Sequence, residues 1–148
     1  MPKTRHIIAA IGTAALAAVL LGVGALLWLQ QRDREIRSAS EHWARELGLA
    51  SADRPLWVVT QLAREGMSFA QVREALAPLE RVPVATDWLH GGGRIVERLR
   101  FPSEFKNEVV YLEYSNGVVA NIDGGDFPVG GLRALSRDSA YYLLNHYP

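Results

Sequence analysis

The chain has 148 residues, 49% of them hydrophobic, and its 16 Lys and Arg residues balance its 16 Asp and Glu residues. This length suits one domain and a tail, and the zero formal charge argues against an overall field that would attract nucleic acid. Because the chain has no cysteine, a disulfide framework, a thiolate zinc site and a lipid-modified cysteine are excluded.

The N-terminal part is a basic tail, residues 1–6, followed by an uncharged apolar segment from Ile7 to Leu29. A helix over this segment would be about 34 Å long, enough to cross a bilayer core of about 30 Å. Trp28 has the position of an interfacial aromatic residue. A cleaved signal peptide, with Lys3 and Arg5 in its basic region, is less favoured because the apolar segment is too long and lacks a small-residue cleavage site. We therefore expect a retained transmembrane helix at 7–29.

The expected location is the bacterial inner (cell) membrane, with a single pass, and the orientation is left open by two opposing signals. Positive charges that follow the helix favour a cytoplasmic domain; they are Arg32, Arg34, Arg37 and Arg45. Long domains, however, are translocated largely regardless of such charges, and a short basic tail usually stays inside. We favour an extracytoplasmic domain.

Small residues recur every four positions along the apolar segment, at Ala10, Ala14, Ala18 and Gly22. Such a stripe lets two helices approach closely, so it is a candidate packing face for a partner or for a homo-oligomer. An alanine-rich span produces the same spacing by chance, and we favour that explanation.

Residues 30–54 are predicted to form a juxtamembrane amphipathic helix and a connector. The helix covers 30–47 and ends at Gly48, and its apolar face recurs at helical spacing: Ile36, Ala39, Trp43 and Leu47. Residues 55–148 are predicted to form a small α+β domain. Its first helix, Pro55–Glu65, has Asp53 as a candidate cap and proline in its first turn.

A capping box opens the next helix, because the Ser68 hydroxyl and the Gln71 side chain can each satisfy a free backbone N–H. Its predicted buried face is Phe69, Val72, Leu76 and Leu79. The apolar period then changes to two, which predicts strands at Val84–Leu89, Arg94–Phe101, Glu108–Tyr114 and Val118–Asp123. A Gly/Pro loop at 124–131 and a short helix from Ser136 follow. The expected fold class is α+β: a transmembrane helix, then helices packed on a small three- to four-stranded antiparallel sheet.

The register of the last hairpin follows from its two faces. A two-residue Asn116-Gly117 turn would mix polar and apolar residues on both faces, whereas a three-residue loop with left-handed Gly117 would not. The expected pairs are therefore Tyr114 with Val118, Leu112 with Ala120, and Val110 with Ile122. The residues then directed away from the core are Tyr111, Glu113, Asn121 and Asp123.

Short motifs of the second helix and the last hairpin carry a resemblance to a known family; they are Gly66-Met67-Ser68, Gln71-Val72, Gly117 and Asn121-Ile122-Asp123. Through these motifs, residues 60–124 resemble the SmpA/OmlA-type domain of the outer-membrane β-barrel assembly lipoproteins. The resemblance implies two helices on a three-stranded antiparallel sheet that serves as a protein-binding scaffold without catalysis. The chain departs from the family in lacking the lipid-bearing cysteine, which a transmembrane helix replaces, and in having Leu76-Ala77-Pro78-Leu79 at the end of the second helix.

A membrane helix that continues into an amphipathic helix and a sheet also resembles a pilin. The apolar segment lacks the glutamate and the processing site of that family, so a pilin-like or secretion-system subunit is the weaker alternative.

Catalytic signatures need several convergent groups, and the sequence shows no such set: we expect no catalytic, cofactor-binding or metal-ligating residues. A small membrane-bound hydrolase would have to use His90 or Asp87. Gly91-Gly92-Gly93 lies between predicted strands and does not precede a helix, unlike a phosphate-binding loop.

A weak candidate interaction face lies on the outer side of the predicted sheet. It comprises Arg94, Arg98, Arg100, Tyr111 and Glu113, and it would suit an acidic partner or lipid headgroups. A solvated face, with the arginines paired to Glu97 and Glu113, is favoured over it. The sequence thus predicts a membrane-anchored, non-catalytic interaction or scaffold module of a bacterial envelope complex. Its expected partners are the bilayer and an unidentified protein, without nucleic acid.

Overall fold

The computed structural model describes residues 2–102, 108–125 and 127–146, with side chains from Gly12 onward. Its helices are α1 (Pro2–Glu46), α2 (Pro55–Leu62), α3 (Phe69–Leu76), which continues into a 3₁₀ turn (Ala77–Arg81), and α4 (Arg137–His146). Its strands are β1 (Ala85–Gly91), β2 (Arg94–Phe101), β3 (Glu108–Ser115), β4 (Val118–Gly124) and β5 (Arg133–Leu135). The chain divides into two compact units, Met1–Glu35 and Ile36–Pro148.

The first unit consists of the N-terminal part of α1. From Gly12 onward this helix is long and apolar enough, by length and composition, to cross a membrane, and none of its most apolar window is buried within the protein. Large apolar side chains such as Leu21 and Leu26 are exposed, although apolar surface is unfavourable in water. The helix is compatible with a single-pass anchor or with a signal sequence. The side chains of Lys3 and Arg5 lie outside the described residues.

The second unit begins with the last part of α1, whose predicted apolar face is confirmed. Ile36 and Trp43 are buried, while Ala39 and Leu47 are partly buried against the same core. Trp43 packs on Phe101 of β2 with ring centroids 5.1 Å apart. The predicted stop also holds, since α1 ends at Glu46 and Gly48 has a φ of +69°.

Helix α2 differs from the prediction at both ends. Arg54 is its N-cap residue, and no side chain makes a cap hydrogen bond, so Asp53 is not the cap. The helix stops at Leu62, short of the predicted Glu65, because the chain becomes extended and pairs with the free edge of β4. There the Gly66 N–H donates to the Val119 carbonyl at 2.8 Å, and the Val119 N–H donates to the Met67 carbonyl at 2.9 Å.

The start of α3 is as predicted. The Ser68 hydroxyl accepts from the Gln71 backbone N–H at 3.3 Å, and the Gln71 side chain accepts from the Ser68 N–H at 2.8 Å. The predicted face is buried at Phe69, Val72, Leu76 and Leu79. The helix is therefore fixed at its N-terminus by local hydrogen bonds and along its length by burial.

The sheet is antiparallel with strand order β4-β3-β2-β1-β5. The α+β prediction is confirmed, and β2 has the predicted bounds. The strand Arg133–Leu135, which pairs with β1, was not predicted, so the expected three- to four-stranded sheet gains a fifth member. Three residues are too few to show an alternating pattern, and this strand exists through its pairing with β1.

The predicted register of the β3–β4 hairpin is wrong. The turn has two residues, Asn116 (φ 51°) and Gly117 (φ 74°), which gives the positive φ at both positions that suits the twist of a hairpin. Tyr114 pairs with Val119, and an irregularity beside Tyr114 then shifts the register so that Leu112 pairs with Ile122. A bulge of this kind accommodates one extra residue. It places Leu112 opposite an apolar residue, but the partner is Ile122 and not the predicted Ala120, and Val110 pairs with Gly124 and not with Ile122.

The sheet separates two clusters of buried residues. The larger one lies between the sheet and the helices, and it includes Phe69, Trp88, Leu112, Tyr114 and Leu144. The smaller one lies on the other face, where Phe127 of the segment after β4 joins Leu89, Val96 and Tyr111. Both faces of the central strands are therefore partly covered, and the outer face is not simply solvated.

Candidate functional site

The predicted arginine face is a set of ion pairs. The Arg98 guanidinium binds both oxygens of Asp87, with Nε 2.7 Å from Oδ1 and Nη2 2.9 Å from Oδ2. Arg100 reaches the same carboxylate at 3.2 Å, and Arg94 contacts Glu113 at 3.3 Å. The bond to Asp87 raises the pKa of Arg98 further. These carboxylates compensate much of the positive charge that an acidic partner would need.

Two residues of the outer-face prediction need correction. Tyr111 is buried against Phe127, with stacked rings whose centroids are 5.0 Å apart, so it packs a small core. Glu97 does not pair with the three arginines of β2, because successive residues of a strand face opposite sides of the sheet. It lies on the helical side with Leu99 and Phe101.

The two side chains that a hydrolase would have used do not converge. Asp87 pairs with Arg98 across β1 and β2, whereas His90 is three positions along β1 and therefore on the other face. His90 lines a cavity of about 360 Å³ beside the two hairpin turns. The sheet separates them, and they cannot form one site.

Of the small-residue stripe, Ala14, Ala18 and Gly22 are exposed on α1. The Ala10 side chain lies outside the described residues. A Cβ added at Gly22 would meet nothing within 4 Å, so the stripe packs on no other described element there.

A groove of about 680 Å³ opens on the helical face of the sheet. Its walls are α3 with the following 3₁₀ turn on one side and α4 on the other, and its floor is formed by β1 and β2. The apolar lining includes Val72, Leu76, Leu79, Val84, Trp88 and Leu99. This volume is in the range of ligand sites.

Two of the lining residues, Trp88 and Tyr141, belong to a cluster of aromatic rings. Phe69 packs edge-on against Trp88, Tyr114 and Tyr141, with centroids 5.9, 5.9 and 5.1 Å away. Trp88 also meets Tyr141 edge-on at 5.8 Å. These edge-to-face contacts are favourable geometries for aromatic pairs, and they hold Tyr141 of α4 against α3 and the sheet.

Two arginines flank Tyr141. The guanidinium carbons of Arg73 and Arg137 lie 5.0 and 5.1 Å from the centre of its ring. The Arg137 Nε also donates to the Tyr141 hydroxyl at 2.9 Å. Among the described residues, neither guanidinium forms an ion pair with a carboxylate. Both side chains are exposed, and Arg137 interacts electrostatically with Glu97 and Asp138. The groove therefore carries two cations beside the Tyr141 ring whose guanidinium groups contact no carboxylate of the described residues directly.

A carboxyl group belongs to the same groove. Glu97 of β2 lines the groove, and its Oε2 accepts a hydrogen bond from the Tyr114 hydroxyl at 2.9 Å. Burial raises the pKa of Glu97 from 4.5 to about 7, against the lowering effects of the Tyr114 bond and the charge of Arg137. Burial and the neighbouring Glu97 also raise the pKa of Tyr114. Glu97 therefore changes protonation near neutral pH.

This site was not predicted, although the sequence contains one signal of it. Glu97 lies in β2 at the same two-residue period as Ile95, Leu99 and Phe101, so an acid interrupts the apolar face of a predicted strand. A charged residue is rarely buried without a partner, and that interruption indicates a special environment. Arg73, Arg137 and Tyr141 come from distant positions, and only the tertiary fold brings them together.

Comparison with known proteins identifies no relative. No family model, no curated protein and no solved structure matches the chain. In the described part of the chain, no group of three or more His, Asp or Glu side chains is placed to hold a metal ion.

Proposed function

We propose that this chain is a membrane-anchored, non-catalytic interaction module that serves as an accessory subunit of a bacterial envelope complex. One observation carries the proposal: an N-terminal helix with the length and composition of a membrane span has its apolar window wholly unburied. Such a surface is stable in lipid and unfavourable in water. The second unit is then held at a membrane surface, and its exposed grooves are available to neighbouring proteins.

Two features support a binding role over a catalytic one. The groove combines an apolar floor with a few polar groups, which is typical of ligand sites. The candidate hydrolase residues Asp87 and His90 lie on opposite faces of the sheet. The likeness to the SmpA/OmlA-type scaffold also supports a binding role. In that part of the chain, residues of α2 and α3 share one core with residues of β3 and β4. We place the second unit outside the cytoplasm.

Alkaline carbonate extraction of bacterial membranes tests the anchor. The full chain should remain in the membrane pellet with an intact mass that includes residues 1–29. The matched variant Leu20→Arg, which places a charge near the middle of the apolar segment, should be extracted or poorly inserted. An extracted wild-type chain, or a mass that lacks the N-terminal segment, would contradict a retained anchor.

Protease treatment of intact spheroplasts tests the orientation. A tag after Pro148 should be cleaved without lysis if the second unit is extracytoplasmic. A tag that is cleaved only after lysis would place the second unit in the cytoplasm, and partners would then be sought among cytosolic and inner-membrane proteins.

A further inference from the structure

We infer that the groove between α3, α4 and the sheet binds a peptide segment of a partner protein, with Arg73 and Arg137 together holding a carboxylate that follows an apolar side chain. The inference rests on the proposed function and names the chemistry of the partner. The groove lies on the helical side of the sheet, opposite the interaction face that was predicted from the sequence.

Both guanidinium groups lie beside the same ring of the groove lining. Each lies about 5 Å from the centre of the same Tyr141 ring, so their central carbons are no more than about 10 Å apart. Stacking and the bond from Arg137 to the Tyr141 hydroxyl limit the rotamers of these long side chains. A carboxylate accepts up to four hydrogen bonds and can bridge two such donors.

The charges elsewhere in the groove favour a peptide over a fatty acid. Glu74 and Glu80 also line it, so the walls carry acidic groups beside the arginines. A fatty acid offers one anionic group and an apolar tail, which leaves those acids without a counterpart. A peptide segment can present an apolar side chain to Leu79 and Leu99, a carboxylate to the arginines, and backbone N–H or basic groups to the acids.

Glu97 links this binding to pH. The charged and titratable groups around it come from each neighbouring element: Tyr114 of β3, Arg137 and Tyr141 of α4, Arg73 and Glu74 of α3, and Glu80 of the 3₁₀ turn. An incoming carboxylate repels an ionised Glu97 and competes for Arg137, whereas a protonated Glu97 does neither. Peptide binding should therefore take up a proton and tighten as the pH falls through about 7.

The test uses the full chain in lipid nanodiscs and a fluorescent peptide, Gly-Leu-Phe-Ala-Asp, with a free C-terminus. Anisotropy should report saturable binding, about tenfold tighter at pH 6 than at pH 8. A control peptide in which Asn replaces the Asp and an amide replaces the free C-terminus has no carboxylate, and it should bind at least tenfold more weakly. The variant Glu97→Gln, which keeps an acceptor for Tyr114, should bind at pH 8 as tightly as the wild type does at pH 6.

Matched arginine variants locate the site. The double change Arg73→Gln and Arg137→Gln should weaken binding at least tenfold, whereas Arg133→Gln, an exposed arginine on β5, should leave it unchanged. Circular dichroism checks that each variant is folded. Equal binding by the amidated peptide, unchanged binding by the double variant, or no saturation at millimolar peptide overturns the inference. Laurate that binds with the same arginine dependence while the peptide does not would replace the peptide with a lipid and overturn it too.

Carbonate extraction of the same samples separates this inference from the proposed function. A chain that stays in the membrane but fails to bind the peptide overturns the groove inference alone. A chain that leaves the membrane yet binds the peptide overturns the anchored module and leaves the groove inference standing.

Discussion

The Glu97→Gln substitution should stabilise the second unit at alkaline pH and have little effect at acidic pH. The folded-state pKa of Glu97 is about 7, against an ordinary value of 4.5. Each pKa unit corresponds to about 1.4 kcal/mol, so the ionised carboxyl lowers the free energy of unfolding by about 3 kcal/mol. Glutamine is neutral at all pH values and keeps an oxygen for the Tyr114 hydroxyl.

The sign of the pH dependence follows from proton binding. Below about pH 4.5 the carboxyl is protonated in both the folded and the unfolded chain, and the destabilisation is absent. Between 4.5 and about 7 the folded state holds a proton that the unfolded state has released, so the free energy of unfolding falls as the pH rises. Above about 7 both states are ionised, and the full destabilisation of about 3 kcal/mol is present.

Urea unfolding of the full chain in lipid nanodiscs, followed by tryptophan fluorescence, measures this effect. The difference between Glu97→Gln and wild type cancels the contributions of the other titrating groups. It should grow from near zero at pH 4.5 to about 3 kcal/mol at pH 8. The exposed Glu65→Gln serves as the matched control and should track the wild type. A difference that does not vary with pH, or a Glu97→Gln chain less stable at pH 8, would refute the reasoning.

Three further substitutions test the fold around the groove, each by its urea midpoint. Ser68→Ala removes the capping oxygen of α3 and should cost about 1 kcal/mol, while exposed Ser51→Ala should cost nothing measurable. Gly117→Ala forces a side chain to adopt a φ of 74° and should cost about 1 kcal/mol, whereas Gly130→Ala, which meets no atom within 4 Å, should be neutral. Phe127→Ala removes the ring stacked on the outer face of the sheet and should cost about 3 kcal/mol. A loss below about 1 kcal/mol there would mean that the segment after β4 is not part of the fold.

Features that depend on nearby residues were predictable from the sequence. The capping box of α3 needs only Ser68 and Gln71, and β2 shows its alternation over eight residues. The apolar face of the last part of α1 was likewise visible at helical spacing. In each case the physical determinant lies within a few residues of the structure it produces.

Features that depend on partners far along the chain were not predictable. The hairpin prediction compared two turn lengths and assumed an unbroken register after the turn. The sequence gives no signal for the register shift between Glu113 and Tyr114. The three-residue strand β5 has no pattern of its own. The burial of Tyr111 requires Phe127, and the pKa of Glu97 requires the helices that cover it. Each of these features depends on tertiary contacts between residues that are distant in the sequence.

The position of Glu97 itself favours a binding role for the groove. A leucine there would continue the apolar face of β2 without any cost of burying a charge. The Tyr114 hydrogen bond and the Arg137 charge recover only part of that cost, since the pKa stays near 7. Departures from what stability favours are expected at functional sites, where other parts of the fold compensate for them. Arg73 and Arg137 stand at the same groove, each stacked on Tyr141. A ligand carboxylate that contacts these arginines would lie near Glu97, and a protonated Glu97 would accommodate it.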